Sequence, residues 1–151
     1  MKRLATFTVD GRFLGVDVTS VREVLRPQEM TRVPLAPPRV AGLINLRGEI
    51  VTAIDLRVAL GRRQLGKSDR PMNVVVTTEH GSVSVLVDAV GDVLEVDEDA
   101  FERPPSTLRG SARDLILGAY KLDGGLLLEL DLDAAIGTTS PSGIDAEVED
   151  R

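Results

Sequence analysis

The stretch 40-VAGLINLRGEIVTAIDLR-57 decides the fold class. Val40–Leu46 and Glu49–Asp55 read as two strands that bend about Arg47-Gly48. The second carries β-branched side chains at Ile50, Val51, Thr52 and Ile54, which suit a pleated, half-buried surface. Gly48 permits a backbone that few residues adopt, as a tight bend requires. Leu56–Leu60 then has room for one helical turn.

Working outward, the same kind of unit recurs. Leu4–Val9 and Arg12–Asp17 flank Asp10-Gly11, a strong two-residue hairpin signal. Val18, Val21, Val24 and Leu25 fall at helical spacing, so a short helix is expected there, capped by Ser20 with Glu23 or by Asp17 and stopped by Pro27. Pro34, Pro37 and Pro38 punctuate the approach to Val40 with turns. Downstream, Asn73–Thr78, Ser82–Val90 and Asp92–Val96 read as strands, with Glu79, His80 and Gly81 as a turn and Gly91 as a bulge or corner. Asp97–Asp114 reads as a long irregular stretch. Ile116–Leu122 and Leu126–Leu132 pair around Asp123-Gly124-Gly125, and Leu132–Ile136 makes a closing helical turn. Residues 137–151 form a polar, acidic tail expected to be flexible. About nine short strands at close spacing predict an all-β fold, a sandwich or barrels. Closure into barrels would remove exposed edges.

Composition narrows the function. The 151 residues are 42% hydrophobic, enough to bury a core, and that core must be aliphatic because the only aromatics are Phe7, Phe13, Phe101 and Tyr120. A net charge of -6 argues against nucleic acid, whose phosphates need a surplus of Lys and Arg. The basic cluster Arg62, Arg63, Lys67 and Arg70 is interrupted by Asp69 and reads as a solvated loop. No cysteine is present, which excludes disulfides and thiolate metal sites. No run reaches signal-peptide or membrane-span length, so a cytoplasmic protein without membrane insertion is expected.

Reaction centres find little support. Residues 61-GRRQLGKS-68 satisfy the phosphate-loop pattern, but that chemistry needs a strand before the first Gly and a helix after the Ser. Here a helical turn precedes, and Asp69, Arg70 and Pro71 follow, so no helix N-terminus is available. The only histidine, His80, sits in an expected turn. Asp97, Glu98 and Asp99 cluster, but Glu102 occupies the place where a calcium loop needs Gly. Asp131 and Asp133 follow strand alternation toward solvent. No catalytic, cofactor or metal residue is expected, and contact through short strands is the remaining business of such a chain.

Four motifs in series give a resemblance. Phe7–Leu25, FTVDGRFLGVDVTSVREVL, resembles the opening of CheW-like coupling domains through Gly15, Val16, Asp17, Val18, Val21 and Glu23. Gly42, Asn45, Leu46, Arg47, Gly48, Asp55, Leu56 and Arg57 resemble the family's central signature. Val83–Val93 resembles its Val-Asp-x-Val strand pair, and Ile116–Ile136 its closing pattern. Leu14 stands where an aromatic is common, and Thr52-Ala53 where a Pro is common. The resemblance implies two intertwined five-stranded SH3-like β-barrels around an apolar seam, with a few short helices, over residues 1–136. It implies a non-catalytic adaptor bridging the cytoplasmic tips of methyl-accepting chemoreceptors and the regulatory domain of the histidine kinase CheA, recruited to membrane-associated arrays. The residues expected to carry contact are Arg47, Glu23, Val21, Asn45 and Gly48. Arg47 would be the anchor, because its planar fork makes paired bonds, and Glu23 its ionic partner. Asn45 is expected to lock the turn. Val21 fits a contact and a core position equally. Two other readings stay open: a detached kinase regulatory domain, which the start at Met1 weakens, and a scaffold whose pathway controls an output other than swimming.

Overall fold

The described residues form ten short strands in two sheets. The computed structural model describes residues 1–66 and 68–137, so Lys67 and the tail beyond Gly137 lie outside it. The first sheet contains β1 (Lys2–Val9), β2 (Arg12–Asp17), β8 (Ala89–Val96), β9 (Ile116–Leu122) and β10 (Gly125–Leu130), in the order β8-β1-β2-β10-β9. The second contains β3 (Val21–Leu25), β4 (Val40–Leu46), β5 (Glu49–Asp55), β6 (Met72–Thr78) and β7 (Gly81–Val87), in the order β3-β6-β7-β5-β4. Three short helices accompany them: α1 (Leu56–Ala59), α2 (Gly110–Leu115) and α3 (Leu132–Ile136).

The two sheets are the same arrangement made twice. Each has a single parallel pair, β2 with β10 and β5 with β7, and antiparallel neighbours elsewhere. One constant spacing separates Gly42 from Gly118, Leu46 from Leu122, Gly48 from Gly124, Asp55 from Asp131 and Leu56 from Leu132. Asp55 caps α1 by accepting from the Arg57 N–H, and Asp131 caps α3 by accepting from the Ala134 N–H. Such caps satisfy donors that a helix start leaves unpaired.

Glycine makes each sheet fold back on itself. After β3 the chain returns so that Thr31 pairs with Leu43 in β4, at 2.8 Å in both directions. After β8 it returns so that Glu102 pairs with Ala119 in β9, at 2.9 Å in both directions. A Cβ on Gly42 would stand 2.7 Å from the Thr31 carbonyl oxygen, and one on Gly118 would stand 2.4 Å from that of Glu102. Only a residue without Cβ lets the crossing backbone come this close.

Three apolar clusters hold the assembly. The largest joins the sheets: Phe7, Val9, Leu14 and Val16 from the first pack with Ile54, Val74, Val76, Val83 and Val85 from the second, and with Leu56, Ala112 and Ile136 from the helices. A second cluster, with Ile44, Val51, Val75 and Leu86, lies on the opposite face of the second sheet. A third, with Leu4, Val96, Tyr120 and Leu127, lies within the first. Strands β6 and β7 are therefore buried on both faces, which fits the Val74–Val76 run in β6 and the Val85-Leu86-Val87 run in β7. Each fully buried aliphatic side chain contributes roughly 1.5–3 kcal/mol, so stability sits here rather than in surface charge.

Several sequence expectations need correction. The helix expected over Val18–Leu25 is a 3-10 turn, Val18–Ser20, followed by strand β3. Arg22 is an extra residue in the pairing of β3 with β6, so Val21 and Val24 stand opposite Val76 and Val74, on one face. The bulge thus reproduces a three-residue spacing that imitates a helix. Asp17, not Ser20, caps the turn. Gly91 lies at a register shift of β8 against β1, the bulge expected of it, but the break between the strands falls at Asp88, whose N–H turns to the Thr8 carbonyl. The stretch expected to be irregular contains α2, and β10 ends at Leu130, not Leu132, because Asp131 leaves the sheet to cap α3.

The crossing glycines give a direct test. Gly118→Ala should lower unfolding stability by about 1–3 kcal/mol in urea denaturation, the range for forced overpacking. Gly125→Ala, whose Cβ would meet nothing within 4 Å, should show no loss.

Candidate functional site

Tight hairpin turns of two residues want Asn, Asp or Gly first, because both positions take positive φ. The β1–β2 turn obeys, with Asp10 at φ 48° and Gly11 at φ 80°. The β4–β5 turn places Arg47 at φ 52° before Gly48 at φ 91°. An arginine here is held against its backbone preference. Asn45 accepts the Gly48 N–H at 2.8 Å and locks the bend, as expected of it. Asn45 and Gly48 thus shape the turn that presents Arg47.

The Arg47 guanidinium is largely exposed, with 62% of its side chain open to solvent. It donates to Glu23 Oε2 at 2.5 Å, which brings together the two charges singled out from sequence. Glu23 lies on the edge strand β3 and Arg47 in the turn that follows the other edge strand, β4, and the chain beyond β3 crosses back over Gly42 to pair with β4. Val21 is half-buried and packs against the main core, so its core role is realised.

Three further polar residues complete the cluster, and sequence reading missed them. Arg22 donates through Nη1 to Glu49 Oε1 at 2.8 Å and to Ser82 Oγ at 3.0 Å, and its Nε lies 3.5 Å from Glu23 Oε2. Strands β3, β5 and β7 all begin at this mouth of the sheet, beside the β4–β5 turn. The signal that could have revealed Arg22 is the broken alternation Val21-Arg22-Glu23-Val24, which marks a bulge once the segment is read as a strand.

Elsewhere, Arg57 donates through Nε and Nη2 to Asp88 Oδ1, at 3.2 and 2.9 Å, while the other Asp88 oxygen accepts from the Asp10 N–H. The matched residue Arg57 thus acts as a rivet between the sheets. The phosphate-loop lookalike follows a helix and precedes β6. Its Leu65 and Gly66 N–H groups already donate to Asp55 and Asp69 carboxylates, which occupy amides a phosphate would need. His80 lies in the β6–β7 turn, exposed. Among the described residues no helix is long and apolar enough to cross a membrane.

The hydrogen bond from Arg47, aided by the charges of Arg47 and Arg22, holds the Glu23 carboxyl below the usual carboxylate range. The charged contact is therefore complete above the ordinary glutamate range and is lost as pH falls through the lowered Glu23 midpoint. Carboxyl-resolved NMR titration should find Glu23 below a free glutamate, and Arg47→Ala should move it upward. Arg47→Asn should leave the urea unfolding midpoint unchanged or raise it, because Asn suits the turn that Arg strains.

Comparison with known proteins bears on the family and the fold. The model of the CheW-like domain family matches residues 3–139. The chain is 28% identical over 134 residues to the chemotaxis protein CheW of Treponema pallidum (strain Nichols), covering 86% of this chain and 79% of that protein. It is 30% identical over 133 residues to the chemotaxis protein CheW of Thermotoga maritima, covering 87% and 85%. The crystal structure of the scaffolding protein TtCheW from Thermoanaerobacter tengcongensis matches with a TM-score of 0.75 at 29% identity, over 85% of this chain and 88% of that one.

Proposed function

This chain belongs to the CheW-like domain family, and on that premise we propose that it is a non-catalytic adaptor coupling chemoreceptors to the histidine kinase CheA. The observation that carries the reading is Arg47, a strained and exposed arginine, paired with Glu23, at a hairpin position whose backbone Asn, Asp or Gly would fill better. Backbone strain kept at an exposed position is a mark of contact. Its guanidinium fork suits a planar anionic group on a partner.

The finer architecture follows the same reading. Each five-stranded sheet closes as an SH3-like barrel through its fold-back over Gly42 or Gly118, and the two barrels share the Phe7–Val85 apolar seam. Residues 1–136 form the adaptor domain, and the acidic tail expected over 137–151 lies, beyond Gly137, outside the described residues. The partners are the cytoplasmic tip of a methyl-accepting receptor and the regulatory domain of CheA, met in the cytoplasm at a receptor array, without nucleic acid or membrane insertion. The named relatives are chemotaxis proteins, which favours chemotaxis as the output.

Reconstitution tests this. Arg47→Glu should keep its fold by circular dichroism and unfold near the parent's midpoint, yet lose receptor control of CheA kinase activity. Kinase control at the parent's level would refute the anchor role. A double-mutant cycle over Glu23→Ala and Arg47→Ala should show coupling in partner affinity rather than additivity.

A further inference from the structure

The two sheets of this chain offer an internal control for the charges around Arg47. The residues of the first sheet that correspond by register to Arg22, Glu23, Arg47 and Glu49 are Gly91, Asp92, Asp123 and Gly125. The first sheet makes the same register shift, the same fold-back and a two-residue turn at the same place, although there only Gly124 takes positive φ, and it has no cation at any of these places. The charges of the second sheet are therefore not needed to build the scaffold.

Within that cluster Arg22 has an odd position. It is the extra residue of the bulge in β3, and bulges re-aim side chains. It spans from an edge strand to Glu49 on β5 and Ser82 on β7, and its Nε stands beside the same Glu23 oxygen that Arg47 holds. Two guanidiniums, Arg22 and Arg47, thus share two carboxylates, Glu23 and Glu49, and the group is balanced in charge. Arg47 is the more exposed member, with one carboxylate partner at the tip; Arg22 is held by Glu49 and Ser82 and lies beside Glu23.

We propose that Arg22 is a positioning residue that takes over Glu23 when a partner's carboxylate captures Arg47. The occupant of the site is an acidic side chain on a docking protein. Arg47 would exchange one carboxylate for another, and Glu23 would keep a counter-charge throughout. Without Arg22, capture of Arg47 would leave Glu23 exposed to an uncompensated negative partner surface, and like-charge repulsion would oppose docking. This rests on the docking reading of Arg47, and it adds a residue that the family resemblance did not include.

Two experiments separate the inference from that reading. The first needs no partner. In Arg47→Ala the Glu23 carboxyl, followed by NMR titration, should still titrate below a free glutamate, and Arg22→Met added to it should move the midpoint up to the free value. No movement on adding Arg22→Met overturns the proposal. The second measures affinity for a purified CheA regulatory domain and for a receptor cytoplasmic fragment by calorimetry, using the one that Arg47→Glu weakens. Arg22→Met should weaken it about tenfold, Arg22→Lys less, and Arg22→Met with Glu23→Gln should recover the parent's affinity, because no carboxylate then needs compensation. If the double variant stays as weak as Arg22→Met, Arg22 is itself a contact or a structural prop and the proposal falls. If Arg47→Glu weakens neither complex, the docking reading falls, and the titration alone decides the role of Arg22. Urea unfolding of each variant guards against loss of fold.

Discussion

Every strand at the edge of a sheet carries backbone donors and acceptors that must be paired or hydrated, and this chain pairs part of its edges by passing over its own glycines. Gly42 and Gly118 are the crossing points. The approach is too close for any side chain, so the geometry is set by an absence of atoms rather than by a contact. From that constraint the rest follows. The chain beyond β3 crosses back to pair Thr31 with Leu43 of β4, and Glu23 reaches Arg47 while Arg22 reaches Glu49. A sheet left open would hold the same residues far apart.

The duplicated arrangement separates scaffold from site within one molecule. Caps at Asp55 and Asp131, parallel pairs at Leu14 with Leu128 and at Val83 with Thr52, and the two register shifts are common property. The cationic hairpin tip is not, since Asp123 stands where Arg47 would be. The first sheet differs in its interior as well: the buried Glu129 holds Lys2 at 2.7 Å and accepts from the Tyr120 hydroxyl at 3.3 Å, where the second sheet has the plain Ala53 and Ile44. The halves agree in backbone and diverge in chemistry.

Much of this was legible in the sequence. The strands around Arg47-Gly48 and Asp10-Gly11 fall at the expected residues, because turn chemistry and β-branched runs act locally. The Glu23–Arg47 pair came from the family resemblance, and the structure brings it together. What escaped depended on distant partners. Val21–Leu25 looked helical because a bulge, set by pairing with β6, adds a residue to the alternation. Asp88 ends β7 because Thr8, Asp10 and Arg57 receive it from far along the chain. Helix α2 lacks a side-chain cap, so its start left no mark in the residue types. The repeat between halves was hidden because the first sheet is assembled from both ends of the chain.

That last feature bears on how the protein is made. The second sheet is contiguous, from Val21 to Val87, and all its strands exist once Val87 has left the ribosome. The hairpin Lys2–Asp17 emerges before it, yet its parallel neighbour β10, Gly125–Leu130, is translated after it. Vectorial synthesis therefore completes the halves in reverse of their order at the N-terminus: the middle of the chain can fold first, and the opening hairpin waits on it with an apolar face to shelter.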